Sequence, residues 1–434
     1  MSTVISLYER TRPRPARTPK VRQPGIGLYV HIPFCAARCP YCDFATAPAT
    51  SPLRARYVET LAREIRLQGA RLGRQRVRTL YFGGGTPSLL EPQELALLQR
   101  ALRAAFELRP VEVTLEANPA TLEPRRLDAF VAAGVTRVSL GAQSLDPAGL
   151  RALARTHRVE EVARSVEAVR AAGVRDLNLD LIFGWPGETR EAWRMDLARA
   201  VALGPDHLSC YPLTLAHEPE DAVANWPGGG WSTLARWRGR AAAAQPPEDV
   251  LADMYLDAEK ALAAEGFVHY EIANWAKPGH RCRHNLLYWR DGEWLGVGVG
   301  AHSHLVGRRF WNSGRLAEYL ERWAAGGEPS DDPRSAIAAE PWESAMLALR
   351  LREGLAFARF AERHGRAALE EVVARLRTLD GSGLLRWRST GVALTRRGRL
   401  LSNEVFVRLL PAAARASSDC EFAANALCND PNAT

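Results

Sequence analysis

Three thiols fall within one short stretch of this 434-residue chain: Cys35, Cys39 and Cys42 in YVHIPFCAARCPYCDF (29–44). Thiolates are soft donors that suit iron–sulfur clusters or zinc. Three is the informative number. A structural zinc site closes its tetrahedron with four protein ligands, whereas a cubane held by three leaves one iron open. The competing reading is a zinc site completed by His31 or by a distant histidine. A second candidate is YFGGGTPS (81–88), where Gly83, Gly84 and Gly85, followed by Thr86, let backbone groups approach a ligand closely. A tight strand-to-helix turn would use the same glycines. Glu116 in LEANP, Gln143 in SLGAQS and Asp180 in NLDLIFGWPG each sit at or just past the end of an expected strand. A polar side chain there faces a ligand, while one buried in mid-strand would be costly. Arg155 in LARTH offers a guanidinium fork that suits a carboxylate.

The elements that must position these residues are legible as an alternation. Apolar runs at 27–32, 77–82, 111–116, 136–141, 176–183 and 206–211 read as strands, and helical periodicities such as 54–68, 92–106 and 191–203 lie between them. Nearly continuous apolar strands, each followed by a helix, imply a parallel sheet covered by helices. The fold class is therefore α/β, a partial (β/α)6 barrel, and the cluster loop just past the first strand falls on its active-site face. Six segments follow: a disordered basic leader over 1–24, the barrel core over 25–213 and an irregular insertion over 214–249. A barrel-completing segment over 250–330, a winged-helix-like appendix over 331–410 and a disordered tail over 411–434 complete the plan.

Composition narrows the function classes. The net charge of +8 invites a nucleic-acid reading, but Lys occurs only at 20, 260 and 277, and the arginines are spread along helices beside acidic residues. That is a set of solvated helix faces, not a phosphate-tracking patch, so no nucleic-acid partner is expected. No apolar run approaches the roughly 18 residues of a membrane span. Seven cysteines, three of them clustered, do not resemble a secreted disulfide framework and suggest a reducing, cytoplasmic setting. Cys210 reads as core, and Cys420 and Cys428 as tail thiols.

The CxxxCxxC loop with its glycine loop resembles the radical-SAM superfamily. That resemblance implies a [4Fe–4S] cluster on Cys35, Cys39 and Cys42, and S-adenosylmethionine chelating the fourth iron. An electron donor would reduce the cluster and so produce a 5′-deoxyadenosyl radical. The likeness sharpens to oxygen-independent coproporphyrinogen III oxidase and its paralogue, the HemW-type haem chaperone group, over about Gly27 to Val407. It implies that Tyr29, Tyr41, Gly83, Gly84, Gly85, Thr86, Glu116, Gln143, Arg155 and Asp180 line the nucleotide site, with Thr214 and His302 as weaker positions. The oxidase pattern has a further cysteine where this chain has Phe44, and the chaperone pattern has HNxxYW, here His284, Asn285, Tyr288 and Trp289 in CRHNLLYW. Imidazole ligates haem iron and aromatics pack on porphyrin faces, so His284 and Trp289 are the haem candidates, with Cys282 and His304 behind them. The implied partners are haem as cargo and acceptor haemoproteins. The oxidase, which turns two propionates into vinyl groups, is the rival function, and a zinc-stabilised binding module is the third.

Overall fold

The computed structural model describes residues 25–215, 226, 231–324 and 337–411. The expected leader, much of the insertion and the tail beyond 411 lie outside the described residues. The six expected strands form as β1 (Ile26–Ile32), β2 (Arg76–Gly84), β3 (Glu107–Ala117), β4 (Arg137–Gln143), β5 (Asp176–Phe183) and β6 (His207–Pro212). They pair side by side, in chain order and all parallel. Between them run α1 (Ser51–Leu72), α2 (Pro92–Ala105), α3 (Pro124–Ala132), α4 (Val159–Ala171) and α5 (Arg190–Ala202). A chain that must return to lay the next strand parallel needs such a crossover.

The strands alternate. Leu28, Val30, Phe82, Val113, Leu115, Val138, Leu140, Leu177, Leu179 and Leu208 belong to the main apolar core beneath the helices. Their neighbours in sequence (Tyr29, Tyr81, Thr114, Glu116, Ser139, Asn178, Asp180, His207 and Ser209) line a single interior cavity. Successive side chains on a strand point to opposite faces, so the sheet curls with a polar lumen inside and an apolar coat outside. The strands thus read as continuous apolar runs only in their outward half.

Two flanks extend the sheet. On one side β7 (Val268–Glu271) and β8 (Asn274–Ala276) add antiparallel to β6. On the other, β9 (Trp294–Val297) adds a seventh parallel strand beside β1, followed antiparallel by β10 (His302–Leu305) and β11 (Arg308–Trp311). The two ends of this sheet do not pair with each other, so the barrel is partial. Where an irregular insertion was expected, α6 (Trp231–Ala243) and the start of α7 (Glu248–Ala264) are helical. Alanine and arginine are strong helix formers, and 235–244 is built almost wholly from them.

The floor of the barrel is closed by α8 (Arg283–Trp289), the CRHNLLYW segment, which lies against the start of β1 and β2. α9 (Leu316–Ala324) covers the far flank. The C-terminal unit has its own core, including Ala345, Leu349, Phe360, Leu376, Val392 and Phe406. It comprises α10 (Pro341–Arg350), α11 (Phe357–His364), α12 (Arg366–Arg377) and a three-stranded antiparallel sheet of Leu355–Ala356, Gly391–Leu394 and Leu385–Arg388. The helical end of this unit is in two pieces, Arg396–Leu400 and Ser402–Leu409, broken at Leu401. Among the described residues no helix is long and apolar enough to cross a membrane.

Gly69 shows how tightly the coat packs. A Cβ there would stand 2.5 Å from the Ala105 Cβ and 2.8 Å from its Cα, where α1 crosses the end of α2. Helix propensity alone favours alanine over glycine by about 1 kcal/mol, but overpacking a rigid core costs about 1–3 kcal/mol. Gly69→Ala should therefore lower stability in chemical or thermal unfolding, and a stabilised variant would show that the two helices can separate freely.

Candidate cofactor site in the barrel lumen

Cys35 stands in a two-residue strand, Phe34–Cys35, that pairs with Ala47–Pro48, and Cys39 and Cys42 follow on the loop between them. All three line the barrel cavity, whose volume is about 340 Å³. Burial pushes the Cys35 thiol up to about 11 and also raises Cys42 well above the ordinary thiol value. A soft cation that binds thiolates would have to displace those protons. The Arg155 guanidinium lies 3.1 Å from Cys39 Sγ through Nη1 and donates to the Gly141 carbonyl through Nη2 at 3.2 Å. Burial opposes the charge on Arg155, but the nearby Tyr41 and Cys39 outweigh it and strengthen the cation. Thr86 Oγ1 approaches Cys35 Sγ at 3.5 Å.

The glycine loop is shaped by contact. A Cβ on Gly85 would fall 2.5 Å from the Pro33 carbonyl and 2.9 Å from Cys35 Sγ, and one on Gly83 would strike both Tyr29 and Tyr81 at 2.8 Å. Gly84 holds φ at +117° and donates its N–H to Glu116 Oε2 at 2.9 Å, while Tyr81 donates to Glu116 Oε1 at 2.7 Å. Glu116 is thus clamped by the loop that precedes it in the sheet. Gln143 ends β4 in the left-handed region, with φ at +66°. That conformation is uncommon outside glycine and turns the Gln143 side chain into the cavity wall.

Asp180 departs from its expected position. It lies in the middle of β5, not at its end, half-buried in the cavity wall, and desolvation there raises its pKa. Donors meet it there: Ser139 Oγ at 2.8 Å on one oxygen and Asn178 Nδ2 at 2.8 Å on the other. Arg38, Arg137, Asn178 and His207, which line the same cavity, were missed from sequence. The signal was present in DLNLDLIF, VEVTLE and HLSCY, whose polar residues recur at every second position.

Every residue expected at the nucleotide site, from Tyr29 and Tyr41 to Arg155 and Asp180, meets this one cavity, except that Gly83 is not among its lining residues. Thr214 lines it too, whereas His302 does not and instead stacks on Trp311 at 5.5 Å. The zinc reading loses its first candidate ligand. His31 Nδ1 lies 3.1 Å from the Tyr29 hydroxyl and Nε2 2.9 Å from the Ala45 carbonyl, so both ring nitrogens are engaged. Among the described residues no three His, Cys, Asp or Glu side chains converge to hold a single ion.

At the opposite end of the same cavity stand Cys282, His284, Asn285, Tyr288 and Trp289. His284 is fully buried, with Nδ1 2.9 Å from Thr79 Oγ1 and Nε2 2.7 Å from the Tyr288 hydroxyl. Burial pushes its pKa down to about 3, which keeps the ring neutral. The Arg350 guanidinium lies 4.3 Å over the Trp289 ring, a cation–π contact. Cys282 packs against Glu112, and His304 lies outside the cavity, 3.2 Å from Asp291. Cys210 is core, as expected; Cys420 and Cys428 lie outside the described residues. Phe44 stands exposed at the cavity rim.

Comparison with known proteins decides the family. Residues 29–200 match the Radical SAM superfamily model, and residues 340–401 match that of the HemN C-terminal domain. The protein named heme chaperone HemW from Mycobacterium tuberculosis is 40% identical over 403 residues, which cover 91% of this chain and 97% of that one. This chain belongs to the HemW family. A second HemW, from Bacillus subtilis, is 34% identical over 383 residues, 87% of this chain and 97% of the relative. The structure of coproporphyrinogen III oxidase (HemN) from Escherichia coli superposes with a TM-score of 0.74 at 23% identity, over 90% of this chain and 91% of that one, a likeness of fold.

Radical-SAM membership implies S-adenosylmethionine and a [4Fe–4S] cluster as cofactors of a HemW-family chain. The lumen fits them. It offers three thiols, a glycine cradle that any Cβ would fill, and a buried Thr114 hydroxyl with no hydrogen-bond partner among the described residues. Cys35, Cys39 and Cys42 would hold the cluster; Glu116, Gln143, Arg155 and Asp180, which line the same cavity, would meet the nucleotide. Anaerobically reconstituted protein should then bind about four irons, as one cubane requires, and Cys35→Ala, Cys39→Ala or Cys42→Ala should each abolish that iron. Stoichiometric zinc in anaerobically purified protein, with no iron–sulfur absorption after reconstitution, would overturn the assignment.

Proposed function

We propose that this HemW-family chain binds haem and hands it to acceptor haemoproteins, with the cluster and S-adenosylmethionine held in the upper lumen. The observation that carries the reading is one cavity lined at one end by the cysteine loop and at the other by His284, Tyr288 and Trp289. Phe44 supports it as well. An aromatic ring stands at the rim where the oxidase pattern would have another thiol.

The cofactor pair supplies one-electron chemistry when bound. The chain's own residues do the rest. Arg155 balances negative charge beside Cys39, and the Gly83–Gly85 turn brings backbone against the ligand with no side chain between. Glu116 and Asp180, each held on both oxygens, present fixed carboxylates for hydroxyl donors. At the closed end, His284 Nε2 is the nitrogen proposed to reach haem iron, and it becomes available when Tyr288 gives up its hydrogen bond. The neutral ring suits that role, because a protonated imidazole has no lone pair to offer iron. A cytoplasmic setting and an electron-donor partner complete the proposal.

Two variants test the ligand with opposite signs. His284→Ala should weaken haem binding and reduce the shift of the Soret band, because neighbouring packing does not replace an axial bond. Tyr288→Phe frees Nε2 and should tighten it. Neither should change the iron content of the cluster. Reconstituted protein should restore activity to a haem-depleted haemoprotein and fail to make protoporphyrinogen IX from coproporphyrinogen III. Robust protoporphyrinogen IX production would replace the chaperone reading with the oxidase, and normal haem titrations in both variants would move the ligand elsewhere.

A further inference from the structure

Below the nucleotide side of the lumen, four side chains on three strands form a directed chain of hydrogen bonds. Asp180 Oδ1 lies 2.8 Å from Asn178 Nδ2, Asn178 Oδ1 lies 2.6 Å from His207 Nδ1, and His207 Nε2 lies 2.8 Å from the Tyr270 hydroxyl. All four residues are inside the barrel wall, and Asn178 and His207 are almost wholly buried. The donor assignment follows from chemistry. An ionised carboxylate only accepts, so the Asn178 amide must turn its NH2 toward Asp180. Ser139 spends its own hydrogen on Asp180 Oδ2 and therefore accepts the second Asn178 hydrogen at 2.7 Å. Asn178 Oδ1 is then left to accept, which requires the Nδ1–H tautomer of His207. That tautomer leaves Nε2 to accept from Tyr270.

Each member is thereby fixed in rotamer by the next, and the chain ends on the aromatic hydroxyl of β7. Asn178 has no freedom to flip, because flipping would put its carbonyl against the Asp180 carboxylate. We infer that Asn178, oriented by His207 and Tyr270, is the positioning residue that aims the Asp180 carboxylate at the ribose of S-adenosylmethionine. This rests on Asp180 meeting the nucleotide, as placed above. It predicts that nucleotide affinity depends on a hydroxyl three hydrogen bonds from Asp180, on a strand outside the parallel barrel.

The test is calorimetric titration of the full-length, cluster-reconstituted chain with S-adenosylmethionine. Asn178→Asp is isosteric but replaces the donor with a second carboxylate. Around that pair stand Ser139 and Ser209, whose hydroxyls already donate to Asp180 and to Asn178 Oδ1, the neutral Tyr81, Cys210 and Tyr211, and Arg137, whose charge bears on His207. None of these supplies a hydrogen between the two carboxyls. At pH 8 both would be ionised and repel, and affinity should fall roughly ten- to a hundredfold, the range for a lost charge-assisted hydrogen bond. Lowering the pH adds a proton that bridges them, so the loss relative to the wild type at the same pH should shrink toward pH 6. Tyr270→Phe should weaken binding several-fold with iron content unchanged. An Asn178→Asp loss that is absent, or equal at every pH, overturns the inference. If that variant does not fold, unchanged affinity in Tyr270→Phe overturns it instead. Asp180→Asn separates the two claims: unchanged binding there means the nucleotide itself was misplaced, and the positioning role falls with it.

Discussion

A carboxylate buried in mid-strand is tolerable only where donors are already fixed to receive it, and this barrel is organised around that demand. Glu112 and Glu116 on β3, and Asp176 and Asp180 on β5, all lie on the inner face, with β4 between them. Each is answered from the neighbouring strand or the loop that follows it. Glu116 takes the Gly84 N–H and the Tyr81 hydroxyl; Asp180 takes Ser139 and Asn178. At the floor, Arg137 lies 3.3 Å from Glu112 and 3.8 Å from Asp176, both nearly dry pairs. Parallel register is what makes these answers possible, since Ser139 lies beside Asn178 across the β4–β5 ladder and Asp180 beside Ser209 across β5–β6. A register slip by one residue would turn every one of these groups into the apolar coat.

That arrangement has a functional consequence. A lumen filled with leucine would be more stable but inert, because buried ion pairs are weak contributors to stability and costly when broken. The polar row faces the inside, and the outward residues of the same strands such as Leu115, Val138, Leu140, Leu177, Leu179 and Leu208 build the main apolar core. Preorganised donors and acceptors then surround any ligand entering from the cysteine loop, with little reorganisation left to do on binding. The strained Gln143 and the left-handed Gly84 sit at the two places where backbone must bend toward that ligand.

Much of this was legible in the sequence, and what was not has specific reasons. The six parallel strands appear within a few residues of their expected bounds because β-branched and aliphatic outward positions dominate each run. The cysteine spacing and the glycine turn named the cluster loop directly. The inner face was harder to read. In DLNLDLIF the leucines mask an alternation of Asp176, Asn178 and Asp180, so Asp180 reads as a strand-end residue and Asn178 does not stand out. The strand β9 went unread because WLGV is only four residues long and glycine-interrupted. The helix α6 was hidden by the prolines and glycines around it, which pointed to an irregular segment. No sequence pattern could show that Arg238 donates to the Pro40 carbonyl inside the cysteine loop, since 198 residues separate them.

The CRHNLLYW helix illustrates how motif and fold divide the work. Its first backbone N–H groups, at Arg283 and His284, are met by Glu112 at 3.0 and 2.9 Å, so the barrel floor fixes where the helix begins. Its far end is fixed from the other side. Asp291, just past the helix and strained at φ +51°, accepts from Ser344 of α10 at 2.6 Å and pairs with Arg363 of α11 at 2.8 Å. Arg350, over the Trp289 ring, also pairs with Glu271 of β7, one residue from Tyr270. The C-terminal unit therefore meets the barrel floor through these ion pairs and through a shared apolar cluster in which Leu347 and Leu351 pack with Leu286, Tyr288 and Trp289. A charge buried between two units is costly to leave unpaired, so the units are held in one arrangement. His284 and Trp289 are placed by that constraint, and any ligand they meet inherits its geometry from both halves of the chain.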